Sequence, residues 1–489
     1  METGSEDTKR SGKTASGNLN SLSKGLAAHT ERATSGSLFL NHSDSVNGFE
    51  VKLDFRPEVS INGQPAKDNT KHSTSMPSYQ LRCLGTQDRI DDEYTIRYHD
   101  KALLRAEYTS GFTPRDLPGL WRWVDWLPVS KPGALNAGSI CYKSKGLANA
   151  LMLSNLWISF HGYWPERGAN CPTTTFKDME AVATLQRLED HNVPGLICSS
   201  AGNTARSFAY FGGLAGYPIL LIVAEKHLDR LWVPEGHPTD SVKIIGIKGG
   251  DYGDANEVTS KIMEVGGWRR EGGVHNVARR DGIGSLILTA IEAMGGMPKH
   301  YFQGVGGGPG PIGVHEMAQR AIQAGFAAGP PPRQHLSQNA EYCLVHDAWQ
   351  KRTFELQPAA EAVHTCVYSD LLVNRAPAYS VRGGLFDMLV ESNGMTYAVP
   401  YDEAAAADKL FREAEGIDTM SPGAVALASL QQAISRGEVH RDDTILLNIS
   451  GGGQERYKKE HPTRVITPVA VVGKEEAIRL GRNMIYSKP

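Results

Sequence analysis

The sequence has no apolar run approaching the roughly 18 residues of a membrane-spanning helix, and its first residues lack the apolar core of a signal peptide. Acidic residues near the start, Glu2, Glu6 and Asp7, are also atypical of a transit peptide. The 489 residues carry 51 Lys and Arg against 54 Asp and Glu, a net charge of −3, so no basic field favours a nucleic acid or a membrane surface. We therefore expect a cytoplasmic protein with neither a nucleic-acid nor a membrane partner.

Cysteine is scarce as well. The six cysteines are Cys83, Cys141, Cys171, Cys198, Cys343 and Cys366. No two of them form a CxxC pair, so the spacing indicates neither a zinc site nor a disulfide framework. We expect reduced thiols and no metal site.

What the chain does contain is enough apolar residues for a generous core. Hydrophobic residues make up 40% of the sequence and glycines number 52, which is typical of an α/β enzyme with many tight turns. Residues 1–77 are polar with little apolar periodicity, which predicts a mostly disordered tail. Residues 78–108 alternate enough to predict a small segment of two or three short strands around Cys83.

An aromatic block, Leu120–Pro128, interleaves Trp with Arg. Such a pattern could stack on nucleic-acid bases, but the net charge of the chain does not favour that partner. An amphipathic helix that packs its tryptophans into a core is the preferred interpretation.

The section from Ala181 to Gly325 repeatedly reads as strand, loop and helix. Leu196–Cys198, Tyr217–Ala224 and Val242–Ile247 are short apolar runs, typical of strands that are buried on both faces. Thr204–Leu214 has a helical pattern that a glycine closes. This alternation predicts parallel sheets covered by helices.

Lys177 follows a run of hydroxyl residues and an aromatic in Thr173–Glu180, and it opens a helical pattern. Lysine forms Schiff bases with aldehydes, and pyridoxal phosphate is the cofactor that most often uses this chemistry. The positive end of a helix dipole disfavours the charged amine, which makes a lysine at this position more nucleophilic. Taken alone, a lysine in this position is more often an exposed surface lysine on a helix than one that forms a Schiff base.

Two small-residue loops follow apolar runs that we expect to be strands. Ser199–Thr204 opens a helix, and its backbone N–H groups suit a carboxylate, although an ordinary capped helix start fits the loop equally well. Gln303–Gly313 is rich in glycine and is a candidate cradle for a phosphate. It contains a formal GxGxxG, from Gly308 to Gly313, but two prolines interrupt it, so a dinucleotide fold is not favoured.

A late Ser-Gly pair, at Ser450 and Gly451, ends the last core strand. A hydroxyl at this position can hydrogen-bond a neutral ring nitrogen, whereas a carboxylate would keep such a nitrogen protonated. A simple turn is the alternative interpretation.

The order of these four features resembles the tryptophan-synthase-β superfamily, fold type II of the pyridoxal-phosphate enzymes. The resemblance implies an α/β fold of two lobes, residues 109–460 with the smaller lobe at roughly 180–300, followed by a C-terminal extension at 461–489. It implies pyridoxal 5'-phosphate as cofactor, with Lys177 as the catalytic lysine that holds it covalently. The other cofactor-binding residues that it implies are Asn203, Gly304, Val305, Gly306, Gly307, Gly308, Gly310 and Ser450. The substrate-binding residues are expected to be Ser200, Ala201, Gly202, Thr204, Thr174 and Arg206.

A closer resemblance, from about Ser78 to about Lys459, is to the cysteate synthases, which are relatives of threonine synthase. The segments that carry it are Leu103–Tyr108, Phe112–Asp116, Asp125–Pro128, Gly162–Gly168, Arg382–Gly384 and Glu415–Asp418. It implies β-replacement that converts O-phospho-L-serine and sulfite into L-cysteate and phosphate through an aminoacrylate intermediate, and a homodimer. Two departures stand out. Only Cys83 occupies the region of the N-terminal cysteine cluster of some relatives, and Ser450 stands where threonine is common among threonine synthases.

Three alternatives remain open on the sequence. A threonine synthase would act on O-phosphohomoserine, a related enzyme would use another nucleophile on a phosphoserine-like substrate, and an inactive protein would only bind the cofactor or phosphate. Because the leaving group and the nucleophile of the leading interpretation are both anions, the site needs a cationic or N–H-rich lining. Candidates for this lining are Lys143, Lys145, Arg167, Arg206 and the Thr173–Thr175 hydroxyls. For each basic residue alone, a solvated surface charge is the more common role.

Overall fold

The computed structural model describes residues 79–109, 111–200, 202–263, 267–357 and 366–486. The predicted tail, residues 1–77, and Ala201 lie outside these residues. No helix of the described part of the chain is long and apolar enough to cross a membrane.

The strands are short and are spread along the whole described chain. They are β1 Tyr79–Cys83, β2 Arg89–Ile90, β3 Leu104–Tyr108, β4 Ile140–Lys143, β5 Leu156–Phe160, β6 Tyr163–Trp164, β7 Ala169–Asn170, β8 Leu196–Ser200, β9 Ile219–Ala224, β10 Trp232–Pro234, β11 Val242–Ile247, β12 Arg269–Arg270, β13 His300–Gly304, β14 Arg333–Asn339, β15 Met395–Val399, β16 Ile445–Ile449, β17 Thr463–Val465 and β18 Ala470–Val472.

The α-helices alternate with these strands. They are α1 Gly146–Ala150, α2 Lys177–Asp190, α3 Asn203–Ala215, α4 Tyr252–Met263, α5 Val277–Gly284, α6 Leu286–Met294, α7 Pro309–Gln323, α8 Leu344–Gln350, α9 Leu385–Glu391, α10 Tyr401–Glu415, α11 Ser421–Ser435, α12 Gln454–Glu460 and α13 Lys474–Tyr486. Helix α3 ends at Ala215 and is followed by Gly216, whose φ of 61° is the left-handed conformation that glycine adopts without steric cost.

A small antiparallel sheet in the order β2-β1-β3 precedes the two larger sheets. Its alternating side chains place Leu81 and Cys83 on one buried face. The described part of this segment contains three short strands around Cys83.

The smaller of the two main sheets is parallel throughout, in the order β12-β8-β9-β11-β18. All six residues of β9 are apolar and buried, as expected for a strand that helices cover on both faces. The last two elements of the chain complete this layer, because β18 pairs with β11 and α13 packs on α4. Residues 461–486, predicted as an extension, therefore supply a strand and a helix to the smaller sheet.

The larger sheet has the order β15-β14-β13-β16-β5-β4, parallel except for the edge strand β4. Helix α11 packs on its centre, against β13, β14 and β16. The predicted fold class, α/β with parallel sheets flanked by helices, is confirmed.

The aromatic block forms a 3₁₀ helix, Gly119–Trp126, rather than an α-helix. Its three tryptophans, Trp121, Trp123 and Trp126, are each less than 5% exposed. Arg122 points outward to an ion pair with Glu292. The block therefore belongs to the core and does not present stacking surfaces to a nucleic acid.

Three parallel strands determine where the site lies. The carboxyl ends of β8, β13 and β16 lead into the loops that begin at Ser200, Gly304 and Ser450, and these loops meet at one cavity. Ligands of open α/β sheets bind at this edge, because the loops there are free to vary while the strands hold them in place.

Candidate active site

A cavity of about 480 Å³ collects most of the residues that the sequence singled out. Its walls come from the start of α2, the loop after β8, the glycine-rich loop after β13 and the turn after β16. The predicted residues that line it are Lys177, Ser200, Gly202, Asn203, Thr204, Gly304, Val305, Gly306, Gly307, Gly308, Gly310 and Ser450. Segments more than 270 residues apart in the chain thus meet around one lysine.

Lys177 is the first residue of α2, as the helical pattern predicts. Its side chain is 15% exposed, and its Nζ donates a hydrogen bond of 3.0 Å to Oε2 of Glu180, one turn later. Burial lowers the pKa of the Lys177 ammonium, the nearby positive charge of Arg279 lowers it further, and Glu180 opposes both effects. The lysine therefore loses its proton more readily than an exposed one.

The loop between β8 and α3 is shaped by the hydroxyl of Ser200. Its Oγ accepts hydrogen bonds from the backbone N–H of Gly202 at 3.1 Å and of Ala205 at 3.2 Å. Gly202 has a φ of 137°, which strongly favours glycine. Asn203 and Thr204 then open α3, where the first N–H groups have no acceptor within the helix and are free to bind an anion.

The turn after β16 is joined to the segment that precedes Lys177. The carbonyl of Ser450 accepts from the backbone N–H of Phe176 at 3.0 Å, and the N–H of Gly452 donates to the carbonyl of Thr174 at 3.1 Å. A side chain at Gly451 would lie 2.8 Å from the carbonyl of Thr174, so this contact requires glycine. Lys177 and the Ser450 hydroxyl are therefore held in a fixed relation, although 272 residues separate them.

The glycine-rich loop has the form of a phosphate cradle. Gly308 has a φ of 99° immediately before α7, and a Cβ added to Gly310 would lie 2.4 Å from Nε2 of Gln303. Within the described residues, no hydrogen bond uses the backbone N–H groups of Gly306, Gly307 or Gly308. Three free N–H groups at the start of a 15-residue helix suit a phosphate, so these residues fit the phosphate end of pyridoxal phosphate.

Other predicted residues lie elsewhere. Thr174 is fully buried and does not line the cavity, whereas its neighbour Thr175 does. Arg206 donates hydrogen bonds to the carbonyls of Thr173 and Arg230. Its guanidinium also stacks on the ring of Trp232, at 4.6 Å. Lys143 and Lys145 are exposed, and Arg167 stacks on Tyr142 and Trp164. None of these basic residues lines the cavity. Ala201 lies outside the described residues.

A buried ionic chain at the base of the cavity was missed from the sequence. Glu180 contacts Nε of Arg279 at 3.0 Å as well as Lys177, and Arg279 reaches Glu271 at 2.8 Å. Burial alone would lower the pKa of Arg279, but the two carboxylates raise it above its ordinary value. Glu180 could have been found from its spacing, because a residue three positions after Lys177 shares its helical face. Arg279 and Glu271 carry no such signal.

Three further cavity residues were also missed, Arg97, Arg270 and His275. They come from the loop before β3 and from β12 and the turn that follows it, and no sequence pattern connects them. No group of three or more His, Cys, Asp or Glu able to hold a metal ion occurs in the described ranges.

Comparison with known proteins identifies the family of this chain. Residues 166–451 match the family model described as pyridoxal-phosphate dependent enzyme. Cysteate synthase of Methanocella paludicola is 42% identical over 405 residues, covering 80% of this chain and 94% of that protein. Cysteate synthase of Methanosarcina barkeri is 42% identical over 404 residues, covering 81% of this chain and 97% of that protein.

Among solved structures, maize serine racemase superposes with a TM-score of 0.51 at 15% identity, covering 66% of this chain and 93% of that one. At this identity the likeness shows the fold alone. The family follows from the sequence relatives: the chain belongs to the cysteate synthase family of pyridoxal-phosphate-dependent enzymes.

Proposed function

We propose that this enzyme converts O-phospho-L-serine and sulfite into L-cysteate and phosphate by replacement at the β-carbon. The observation that carries the proposal is the meeting of Lys177, the Ser200–Thr204 loop, the glycine-rich loop and Ser450 around one cavity, in a chain about 42% identical to cysteate synthases. A lysine, a carboxylate site and a phosphate cradle are the parts that this reaction requires.

The residues of the cavity divide by the part of the cofactor they suit. The N–H groups of Gly306, Gly307 and Gly308 would hold the phosphate, Asn203 the ring hydroxyl and Ser450 the ring nitrogen. When bound, pyridoxal phosphate supplies an electron sink that makes the Cα proton of an amino acid acidic. The Ser450 hydroxyl would leave that nitrogen neutral, because it offers no negative charge to hold a proton there.

Lys177 acts as the base that removes the Cα proton. Its pKa is lowered by burial and by Arg279, so a larger fraction is free amine near neutral pH than for an ordinary lysine. Its position beside the substrate loop makes the proton transfer an intramolecular step, which saves the entropy of bringing a base from solution. Glu180, within 3.0 Å of Nζ, can orient the amine between proton transfers.

The substrate carboxylate would bind to the hydroxyl of Ser200 and to the N–H of Thr204 at the start of α3, while Gly202, whose N–H donates to Ser200 Oγ, shapes the loop. Arg279 stands beside this loop, with Nη2 3.4 Å from Oγ1 of Thr204. The carboxylate would thereby be anchored at a helix N-terminus.

We also propose that the enzyme works as a cytoplasmic homodimer. The six cysteines support a reducing compartment, because the cysteines of the described residues are all free of disulfides. The dimer rests on the family resemblance and is tested by sedimentation equilibrium, where a mass of twice 53.2 kDa is expected.

The function is tested with purified enzyme, pyridoxal phosphate and O-phospho-L-serine, with and without sulfite, while phosphate and amino-acid products are quantified. We expect cysteate only when sulfite is present. Lys177→Ala should lose this activity by at least about a thousandfold, since base and cofactor attachment disappear together. Lys143→Ala, which changes an exposed lysine of β4, is the matched control and should behave as wild type.

Two results would redirect the proposal. Pyruvate and phosphate without cysteate would retain elimination from phosphoserine and reject sulfite as the nucleophile. Turnover of O-phosphohomoserine but not of phosphoserine would identify a threonine synthase instead.

A further inference from the structure

The charges that line the cavity are unevenly compensated. Near Lys177, the two cations Lys177 and Arg279 contact the two carboxylates Glu180 and Glu271, at 2.8 to 3.0 Å. This part of the site is therefore neutral on balance. Arg97 and Arg270, which also line the cavity, form no ion pair among the described residues. The uncompensated positive charge of the cavity thus lies at these two arginines.

Arg270 and His275 are built into the wall and are not free surface groups. Nη1 of Arg270 donates to Oγ of Ser260 on α4 at 2.9 Å, which fixes the guanidinium without neutralising it. Nδ1 of His275 is buried and has no hydrogen-bond partner within the described chain. A buried polar atom without a partner costs about 1–3 kcal/mol unless a ligand or water satisfies it.

The three residues line the same cavity, and their charges act on one another. Burial, then the charge of Arg97, lower the pKa of Arg270. Burial, followed by Arg97, Arg280 and Arg270, lowers the pKa of His275 to about 4. A neighbouring anion would relieve this repulsion, and the structure supplies none at this position among the described residues except Glu271, which Arg279 already engages.

We propose that Arg97, Arg270 and His275 form a binding site for a doubly charged oxyanion at the outer part of the cavity. Two uncompensated guanidinium groups match two negative charges, and the planar guanidinium bonds oxyanions through paired N–H donors. The identity of the anion rests on the proposed function, which has two candidates of this chemistry, the attacking sulfite and the phosphoryl group of the substrate. Both must pass between solvent and the β-carbon, and Arg97 is the exposed member of the three.

The probe is inorganic sulfate, a non-reactive dianion, titrated calorimetrically into the cofactor-loaded enzyme. Arg97→Gln and Arg270→Gln should each raise the Kd for sulfate about tenfold, the usual loss for one charge-assisted contact. Arg97→Lys keeps the charge and should recover most of the affinity. Arg269→Gln is the matched control, because Arg269 is exposed on the same strand, β12, and does not line the cavity.

Steady-state kinetics then identify the natural anion. A rise in KM confined to sulfite assigns the site to the nucleophile, whereas a rise confined to phosphoserine assigns it to the phosphoryl group. Because Arg97 is exposed, Arg97→Gln should fold as wild type does, so a lost affinity is not a folding defect.

The proposal is overturned if the Kd for sulfate of Arg97→Gln and of Arg270→Gln lies within twofold of the wild-type Kd, as is expected of the control Arg269→Gln. The proposed function fails on a different result, the absence of cysteate from the wild-type enzyme. A wild-type enzyme that makes cysteate but shows no arginine dependence of sulfate binding or of either KM would retain the function and reject this site.

Discussion

Replacing Glu180 by Gln should lower the pKa of Lys177 still further. Glu180 is fully buried, and its carboxylate is the negative charge in direct contact with Nζ of Lys177, at 3.0 Å. Its loss removes the one close interaction that favours the ammonium form. It also leaves Arg279 with a single carboxylate partner, so the positive charge of Arg279 acts more strongly on the lysine. Both consequences lower the pKa of Lys177.

The size of the effect follows from this geometry. Two unit charges about 3 Å apart interact by roughly 5 kcal/mol at an effective dielectric constant of about 20. The amide oxygen of Gln still accepts a hydrogen bond from the ammonium, so much of this energy is offset. A remainder of about 2 kcal/mol corresponds to one to two pH units, since one pKa unit is about 1.4 kcal/mol.

The assay is the rate at which pyridoxal phosphate attaches covalently to cofactor-free enzyme, followed by visible absorbance between about pH 6 and 10. Only the free amine of Lys177 reacts, so the midpoint of the pH profile reports its pKa. We expect Glu180→Gln to shift this midpoint down by about one to two units. Glu189→Gln, an exposed change on the same helix, should leave it in place. A midpoint that stays or rises in Glu180→Gln would refute the reasoning.

Three further predictions concern residues around the site. Gly308→Ala should weaken cofactor binding at least about tenfold in a titration with cofactor, because the φ of 99° and an approach of 3.0 Å to Leu385 both oppose a side chain at this position. Gly325→Ala is the control, because Gly325 has a similar positive φ, 72°, but open space around it. Burial raises the pKa of Asp178 from 3.8 to about 6, so the folded protein holds this proton more tightly than the unfolded chain does. The resulting contribution to the free energy of unfolding is fully present below about pH 4 and is lost as the pH rises through 6. Asp178→Asn should therefore remove about 3 kcal/mol of pH dependence from urea unfolding measured between pH 4 and 7. Arg206→Gln should lower the free energy of unfolding by about 3 kcal/mol, because the guanidinium donates hydrogen bonds to two backbone carbonyls. The KM for phosphoserine should change less than threefold. A large rise in KM at unchanged stability would instead indicate that Arg206 binds the substrate.

The parts of the fold that sequence could predict are those set by local periodicity. Strands such as β9 and β11 are continuous apolar runs, and helix α3 has both a helical period and a glycine at its end, so their types follow from neighbouring residues alone. The aromatic block shows the limit of such patterns. Its apolar spacing predicts burial, which the structure confirms, but the 3₁₀ geometry of Gly119–Trp126 depends on packing against distant segments.

The candidate site divides in the same way. Lys177, the Ser200–Thr204 loop and the glycine-rich loop each contain their own signal, because one short segment must supply the lysine, the helix start or the free N–H groups. Arg279 contacts Glu180 and Glu271 contacts Arg279, and both lie about 90 to 100 residues after Glu180 in the chain, so no spacing identifies them. Arg206 illustrates the opposite error. A basic residue in the first turn of α3 was expected to face the substrate, but its side chain turns into the core toward Trp232.

The distribution of charge in the site explains why it contains Arg279 and Glu271, which lie far from Lys177 in the sequence. A lysine that must act as a base near neutral pH is helped by neighbouring positive charge, but two unpaired cations in a buried site would destabilise the fold. Glu180 and Glu271 remove that cost by pairing with Lys177 and Arg279, while burial keeps the pKa of the lysine low. Because those carboxylates neutralise the inner charges, Lys177 and Arg279 leave little net attraction for a dianion arriving from solvent. A site that handles anionic substrates therefore needs a separate, uncompensated cationic surface farther out, and the described residues that meet this need are Arg97 and Arg270.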